Sequence, residues 1–352
     1  MHFLQLKFAG GIALLVLTLA HAAAAKTLDI YFIDVEGGQS TLLVTDQESL
    51  LIDTGWAGSG APGAKPGNPA ESRDAQRIVA AAHDAGLAQI DYLLITHFHP
   101  DHAGGVLELS QLMPIRHFID HGTLSAEAQK DADYRNWFLA YLTVRNKVPH
   151  IEPRPGDHLP LAGIDAIVVS SAGSVISKPL AGAGQVNAAC GQSAVPAGDP
   201  YENPRSTGIL VRYGKFRFLD VGDLTGQPLF DLACPKSLIG PVDVYLVAHH
   251  GGPDVADPAS FAALRPRVAI MNNGAKKGGA LATYDMMHRV PGLEDVWQLH
   301  RSEAAGEKNF TSDHIANLDE SSAHWIKLSV SEDGAFRVTN PRTGDYKNYP
   351  AR

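Results

Sequence analysis

The chain has 352 residues, of which 45% are hydrophobic and 19% charged, which excludes a disordered chain and is enough to bury one large core or two small ones. A formal net charge of −9 gives no overall footprint for non-specific nucleic-acid binding, so no clear nucleic-acid patch is expected.

Residues 1–25 read as a secretory signal peptide. Lys7 precedes an apolar run from Ile12 to Leu19, and the small residues after it suit cleavage near residues 22–25. The competing reading is a membrane anchor, for which the run is short. A signal peptide predicts a periplasmic or extracellular protein with no stable membrane span after cleavage. In such a compartment Cys190 and Cys234 either pair or remain two thiols.

Leu28 to Val35 is a strand candidate ending in a carboxylate, followed by a turn over Glu36–Ser40. Thr41–Val44 and Leu50–Ile52 read as a hairpin. Residues 55–70 are a Gly/Pro-rich loop, and a helix is expected from about Ser72 to Ala85, with Gly86 placed to stop it. Tyr92–Thr96 is a short buried strand, and a second helix is expected near Gly104. Residues 126–147 carry Tyr134, Trp137, Phe138, Tyr141 and Leu142 at helical spacing, a stripe that suits core or pocket wall. Ile164–Val169 is a strand, and Gly/Ala/Pro-rich residues 172–205 form an insertion. Gly208–Tyr213 and Lys215–Asp220 make another hairpin. Val242–Ala248 and Arg267–Met271 are strands with a helix between them, and two strands close the chain from about His324. The two passes suggest two similar halves, with sheet packed on sheet and helices outside both.

The chemistry concentrates in Thr96-His97-Phe98-His99-Pro100-Asp101-His102-Ala103-Gly104-Gly105. Four metal-ligand side chains fall within six residues between a strand and a helix. Imidazole and carboxylate together suit zinc, and also manganese or iron. Two metal shells need more ligands. Asp223 follows a strand and is the candidate for a bridging position, with Asp220 as the alternative. His249 and His250 end the next strand, and at least one of them is expected to bind metal.

His97-x-His99-x-Asp101-His102, preceded by Leu51-Ile52-Asp53-Thr54-Gly55 and followed by Gly222-Asp223, resembles the metallo-β-lactamase fold superfamily. Asp34-Val35-Glu36-Gly37-Gly38-Gln39-Ser40 and His249-His250-Gly251-Gly252 resemble the ComEC/Rec2-like subgroup. The resemblance implies an α/β fold, a four-layer αββα sandwich, over residues 26–352. It implies two divalent metal ions, with His97 and His99 at one site and Asp101, His102 and His249 or His250 at the other. Asp223 bridges them, and Asp53 supports the metal loop. Asp34 and Ser40 would lie near the cleft edge.

Three departures from the pattern matter. The third histidine of the first site is missing, leaving His121 as a candidate substitute and Asn203 and Ser206 as possible lining; His158 reads as solvated. Gly278 to Tyr284 stands where the subgroup has a G-H-P motif, and the multi-span channel of competence proteins has no counterpart. The expected activity is hydrolysis of a phosphate ester or phosphodiester by a hydroxide held between the metals, with Asp101 and Asp223 as catalytic residues. Lactone, ester or β-lactam hydrolysis is the enzymatic alternative, and a non-catalytic metal-binding module the other. Lys276, Lys277, Tyr284 and His314 are late-loop candidates for reaching a substrate.

Overall fold

Alternation in the first strand sets the layers. Leu28, Ile30 and Phe32 join one buried cluster while Tyr31 and Ile33 join another, so the strand is covered on both faces. The structure, a computed structural model, describes residues 27–193, 195, 199 and 201–352. The expected signal peptide and its cleavage sites lie outside the described residues.

The first part of the chain runs β1 (Thr27–Phe32), β2 (Thr41–Val44), β3 (Ser49–Ile52), α1 (Arg73–Asp84), β4 (Ile90–Leu94), α2 (Pro100–Ala103), α3 (Val106–Leu112), β5 (Ile115–Ile119), α4 (Ala132–Arg145) and β6 (His150–Ile151). There follow β7 (Asp165–Ser171), β8 (Ser174–Val175), β9 (Gly208–Tyr213), β10 (Phe216–Asp220), α5 (Gly226–Ala233), β11 (Val244–Leu246), α6 (Pro258–Leu264) and β12 (Val268–Met271). The last elements are α7 (Leu281–Met287), β13 (Asp295–His300), β14 (Ile315–Asn317), β15 (Ile326–Ser331), β16 (Phe336–Asn340) and β17 (Asp345–Tyr349).

Two mixed sheets result, in the orders β17-β16-β15-β1-β2-β3-β4-β5-β6 and β14-β13-β12-β11-β10-β9-β7-β8. Phe32 of the first meets Phe218 of the second edge-on at 5.7 Å, inside a core that both sheets share. Helices α1, α3 and α4 cover the outer face of the first sheet, and α5, α6 and α7 that of the second. This is the four-layer αββα arrangement.

Local chemistry explains the helix ends. In α1, Ala75, Ile78, Ala81 and Ala82 make the buried stripe. Gly86, at φ +76°, ends it while Leu87 N–H donates to the Ala82 carbonyl. Helix α4 starts at Ala132 rather than 126, because the Asp131 carboxylate accepts from the amides of Asp133 and Tyr134.

Two sequence expectations need correction. The helix near Gly104 is two short helices, and α2 begins at Pro100, which puts Asp101 and His102 inside a helical turn. The chain closes with three strands, not two, and they rejoin the first sheet through β15 beside β1. The halves are therefore not two successive copies. A Cys190–Cys234 disulfide ties the insertion to the end of α5. Among the described residues no helix is long and apolar enough to cross a membrane.

Candidate metal centre

The site forms where strands of both sheets end. Asp53 leaves β3 at φ +61°, a conformation rare for residues other than glycine. Its carboxylate accepts from the Thr96 amide at 2.8 Å and the Thr96 hydroxyl at 2.7 Å, and lies 2.7 Å from His102 Nδ1. With Nδ1 committed to Asp53, His102 presents Nε2 to the cleft. His249 and His250, beyond β11, also have positive φ, at 47° and 52°. That sharp turn sends the two rings to different neighbours.

His250 Nε2 lies 3.2 Å from His102 Nε2, 3.2 Å from Asp101 Oδ2 and 3.2 Å from Asp223 Oδ2. His102 Nε2 is 3.1 Å from Asp223 Oδ2 and 3.5 Å from Asp101 Oδ2. All four residues are buried. Alongside, His97 Nε2 and His99 Nδ1 approach to 2.9 Å, and the His97 and His102 rings are 4.1 Å apart.

These atoms are all lone-pair bearers pointed at one another, an arrangement that calls for a cation between them. Asp223 Oδ1 and His250 Nδ1 are buried without a hydrogen-bond partner. The electrostatics agree. Burial disfavours a charged His102, yet Asp223, Asp101 and Asp53 raise its pKa well above the imidazole value. Burial likewise opposes ionisation of Asp223, but His102, His250 and His249 hold it well below the carboxylate value. Asp101 is held low in the same way by Lys277, His102 and His250 against its burial. His97 stays neutral, its pKa depressed by burial and by His102 and His99. The donor set therefore fits divalent metals with mixed nitrogen and oxygen ligands.

The remaining candidates separate around this cluster. His249 sits on the rim, with Nδ1 2.8 Å from Asp254 and Nε2 3.8 Å from Asp223 and 3.4 Å from Asn203 Nδ2. The Ser206 hydroxyl is 3.4 Å from His97 Nδ1. Asp220 lies outside the cluster, where the Gln39 amide donates to both its oxygens at 3.0 Å. His121 turns to Glu202, with Nε2 3.0 Å from Oε2, and packs on Phe98. It is thus drawn into a pair of its own, away from the role of a third histidine. Asp34 is not at the cleft edge: it is buried between Arg77 at 2.8 Å and His300 at 2.8 Å. Ser40 is buried, its hydroxyl unpartnered.

Of the late-loop candidates, only Lys277 reaches the centre, with Nζ 2.5 Å from Asp101 Oδ2 and 2.6 Å from the Gly37 carbonyl. Lys276 pairs with Glu320, Tyr284 is core, and His314 binds Asp295. His158 pairs with Asp165 at the surface. Sequence reasoning missed Thr96, Asp199 and Glu202. Asp199 Oδ2 lies 3.7 Å from His99 Nε2. The signal for both acids was there: carboxylates are scarce in the Gly/Ala/Pro-rich insertion, and these two flank its Tyr201.

Residues 33–175 match the metallo-beta-lactamase superfamily. No curated protein matches the chain. Among solved structures, the metallo-beta-lactamase fold protein YhfI from Bacillus subtilis is 11% identical, covers 78% of this chain and 96% of its own, and gives a TM-score of 0.46. Igni18, a novel metallo hydrolase from the hyperthermophilic archaeon Ignicoccus hospitalis, is 15% identical over 79% of this chain and 97% of its own, with a TM-score of 0.42. A Cronobacter sakazakii metallo-beta-lactamase with a HARLDQ motif is 18% identical over 56% of this chain, with a TM-score of 0.33, and the match spans 61% of that protein's length. The part of the centre that runs from Asp53 to His102 therefore lies within the segment that is similar to the metallo-beta-lactamase superfamily.

Proposed function

We propose that the chain is an exported metal-dependent hydrolase of phosphate esters or phosphodiesters. The observation that carries this reading is Lys277. Its ammonium stands against Asp101 at the edge of the acceptor cluster, and its side chain remains 38% exposed. A centre that would hold metal cations gains from a further ammonium when the substrate brings its own negative oxygens.

In this reading His97, His99, Asp101, His102, Asp223 and His250 hold two divalent metals, most suitably zinc, with His249 at the rim as a further donor. Metals bound there supply Lewis acidity and lower the pKa of water. The protein does the rest. Asp53 fixes the tautomer of His102 through Nδ1, and the Gly37 carbonyl keeps Lys277 facing the cleft. Lys277 then offers its ammonium to a phosphoryl oxygen, which orients the ester against Asp101 and Asp223. The Cys190–Cys234 disulfide and the N-terminal apolar segment support export.

The test uses protein stripped with a chelator and reloaded with zinc or manganese, assayed on bis-p-nitrophenyl phosphate, a lactone and nitrocefin. Diester turnover that chelation abolishes is expected, and Lys277→Ala should reduce kcat/KM for the diester by roughly tenfold or more. Asp223→Ala should lose most activity and one metal equivalent by elemental analysis. Turnover of nitrocefin alone sinks the phosphoester reading, and unchanged metal content refutes the role given to Asp223.

A further inference from the structure

A cleft of about 390 Å³ opens between α4 and the loop over residues 57–66, within the size range of small-molecule sites. Its wall is apolar, built from Phe98, Leu107, Trp137 and Ala140. Tyr134 and Pro100 are among its lining residues. They link the cleft to the metal centre: the Tyr134 ring is 6.2 Å from the His99 ring, and Pro100 separates His99 from Asp101 in the chain.

The wall is firmly held. Phe98 packs edge-on against Phe138 at 4.9 Å, and Trp137 stacks on Tyr141 at 5.6 Å with planes 8° apart. Trp137 nevertheless stays only partly buried, as does Tyr134. The charged lining residues, Lys65 and Asp133, are exposed at the rim. The interior therefore suits an uncharged aromatic or branched alkyl group.

We infer that this cleft is the subsite for an apolar substituent of the substrate, an aryl or branched alkyl group on the ester whose scissile bond lies at the His97–His102 centre. The inference rests on the hydrolase reading above for the position of the scissile bond. It adds the substrate class: an anionic ester with one bulky apolar arm, rather than an inorganic or sugar phosphate. Residues 136 and 140 lie one helical turn apart on α4 and both line the cleft, so a large side chain at either fills it.

Calorimetric titration of zinc-loaded protein with phenylphosphonate and methylphosphonate tests this, because the two anions differ only in the apolar arm. Phenylphosphonate should bind at least about tenfold more tightly. Ala140→Trp and Asn136→Trp should each bring that ratio towards one. Benzyl alcohol, a neutral probe, should receive saturation transfer on its ring protons from the wild type and much less from the variants. Equal affinity for the two phosphonates, a ratio retained in both variants, or no saturation transfer to benzyl alcohol overturns the inference. If neither phosphonate binds while benzyl alcohol does, the phosphoester reading fails and the apolar subsite stands. Should Ala140→Trp unfold by circular dichroism, Asn136→Trp, exposed at the mouth, decides the outcome.

Discussion

His102 is oriented before any metal arrives, because Asp53 takes its Nδ1 at 2.7 Å and is itself fixed by two contacts from Thr96. Burial raises the Asp53 pKa, and His102 and Thr96 work against that rise. Asp53→Asn keeps the size of the side chain but weakens the hold on the Nδ1 proton. We expect metal affinity to fall by roughly 10–100-fold in competition with a chelator, while His97 and His99 remain in place. Unchanged zinc retention would show that Asp53 serves the backbone turn alone. The spacing of His97, His99, Asp101 and His102 was legible because those ligands are contiguous. So was Asp53, through its place at a strand end. Lys277 was visible only as one late-loop cation among several, since its partner lies 176 residues away and nothing local marks the pairing. His250 could not be told from His249, because the choice between them depends on two left-handed residues whose ψ angles, 20° and 44°, aim the rings differently.

Among the elements, the turn over residues 36–39 helps to seat the metal loop. Gln39 N–H donates to the Asp101 carbonyl at 3.0 Å, and Gly55 N–H donates back to the Gln39 carbonyl at 3.0 Å. The contact is so close at Gly38 that a Cβ there would collide with the Asp101 carbonyl oxygen. Asp34, Arg77 and His300 brace the start of the same turn from behind. Asp34 thus has a use, though not at the cleft edge where the motif resemblance placed it. Gly38→Ala must displace either the turn or α2, and with it Asp101 and the Lys277 contact. It should lower kcat/KM by about 10²-fold, the scale expected for a misplacement near 1 Å, while circular dichroism still reports a folded chain. Gly67→Ala, where a Cβ meets nothing within 4 Å, is the control and should leave kcat/KM unchanged. Equal effects in the two variants would discard the argument. Strands and hairpins were readable from alternation, but α2 was not, since four residues give no period. Its one local sign was Pro100, a residue favoured at the first helical position.

Across the whole molecule, the closing strands explain why two passes of the chain do not give two independent halves. Strand β15 returns to β1, so the first sheet is complete only when the C-terminus arrives. One ionic cluster ties that late hairpin to the second sheet. Asp295 of β13 accepts from Tyr349 at 2.7 Å and lies 2.6 Å from Lys347 of β17 and 3.1 Å from His314. Burial opposes its charge, but the bonds from His314, Lys347 and Tyr349 lower its pKa to about 2. A carboxyl depressed from 3.8 contributes stability that is fully present above that value and is lost as pH falls towards 2. His314 runs the other way: burial disfavours its charge, yet Asp295 and Asp313 raise its pKa, so its contribution fades as pH rises beyond the imidazole range. Together they stabilise the junction most between those two windows. Asp295→Asn should therefore be less stable than wild type at about pH 5, and the difference should shrink by about pH 2.5, which lies below the ordinary carboxyl value and close to the depressed one. Urea unfolding of metal-free protein at the two pH values checks this without interference from metal loss in acid. A difference that stays constant between them would mean that Asp295 acts through packing rather than through its charge, alongside other links between the sheets such as the bond from Trp297 to the Tyr349 hydroxyl and that from Arg267 to the Pro350 carbonyl.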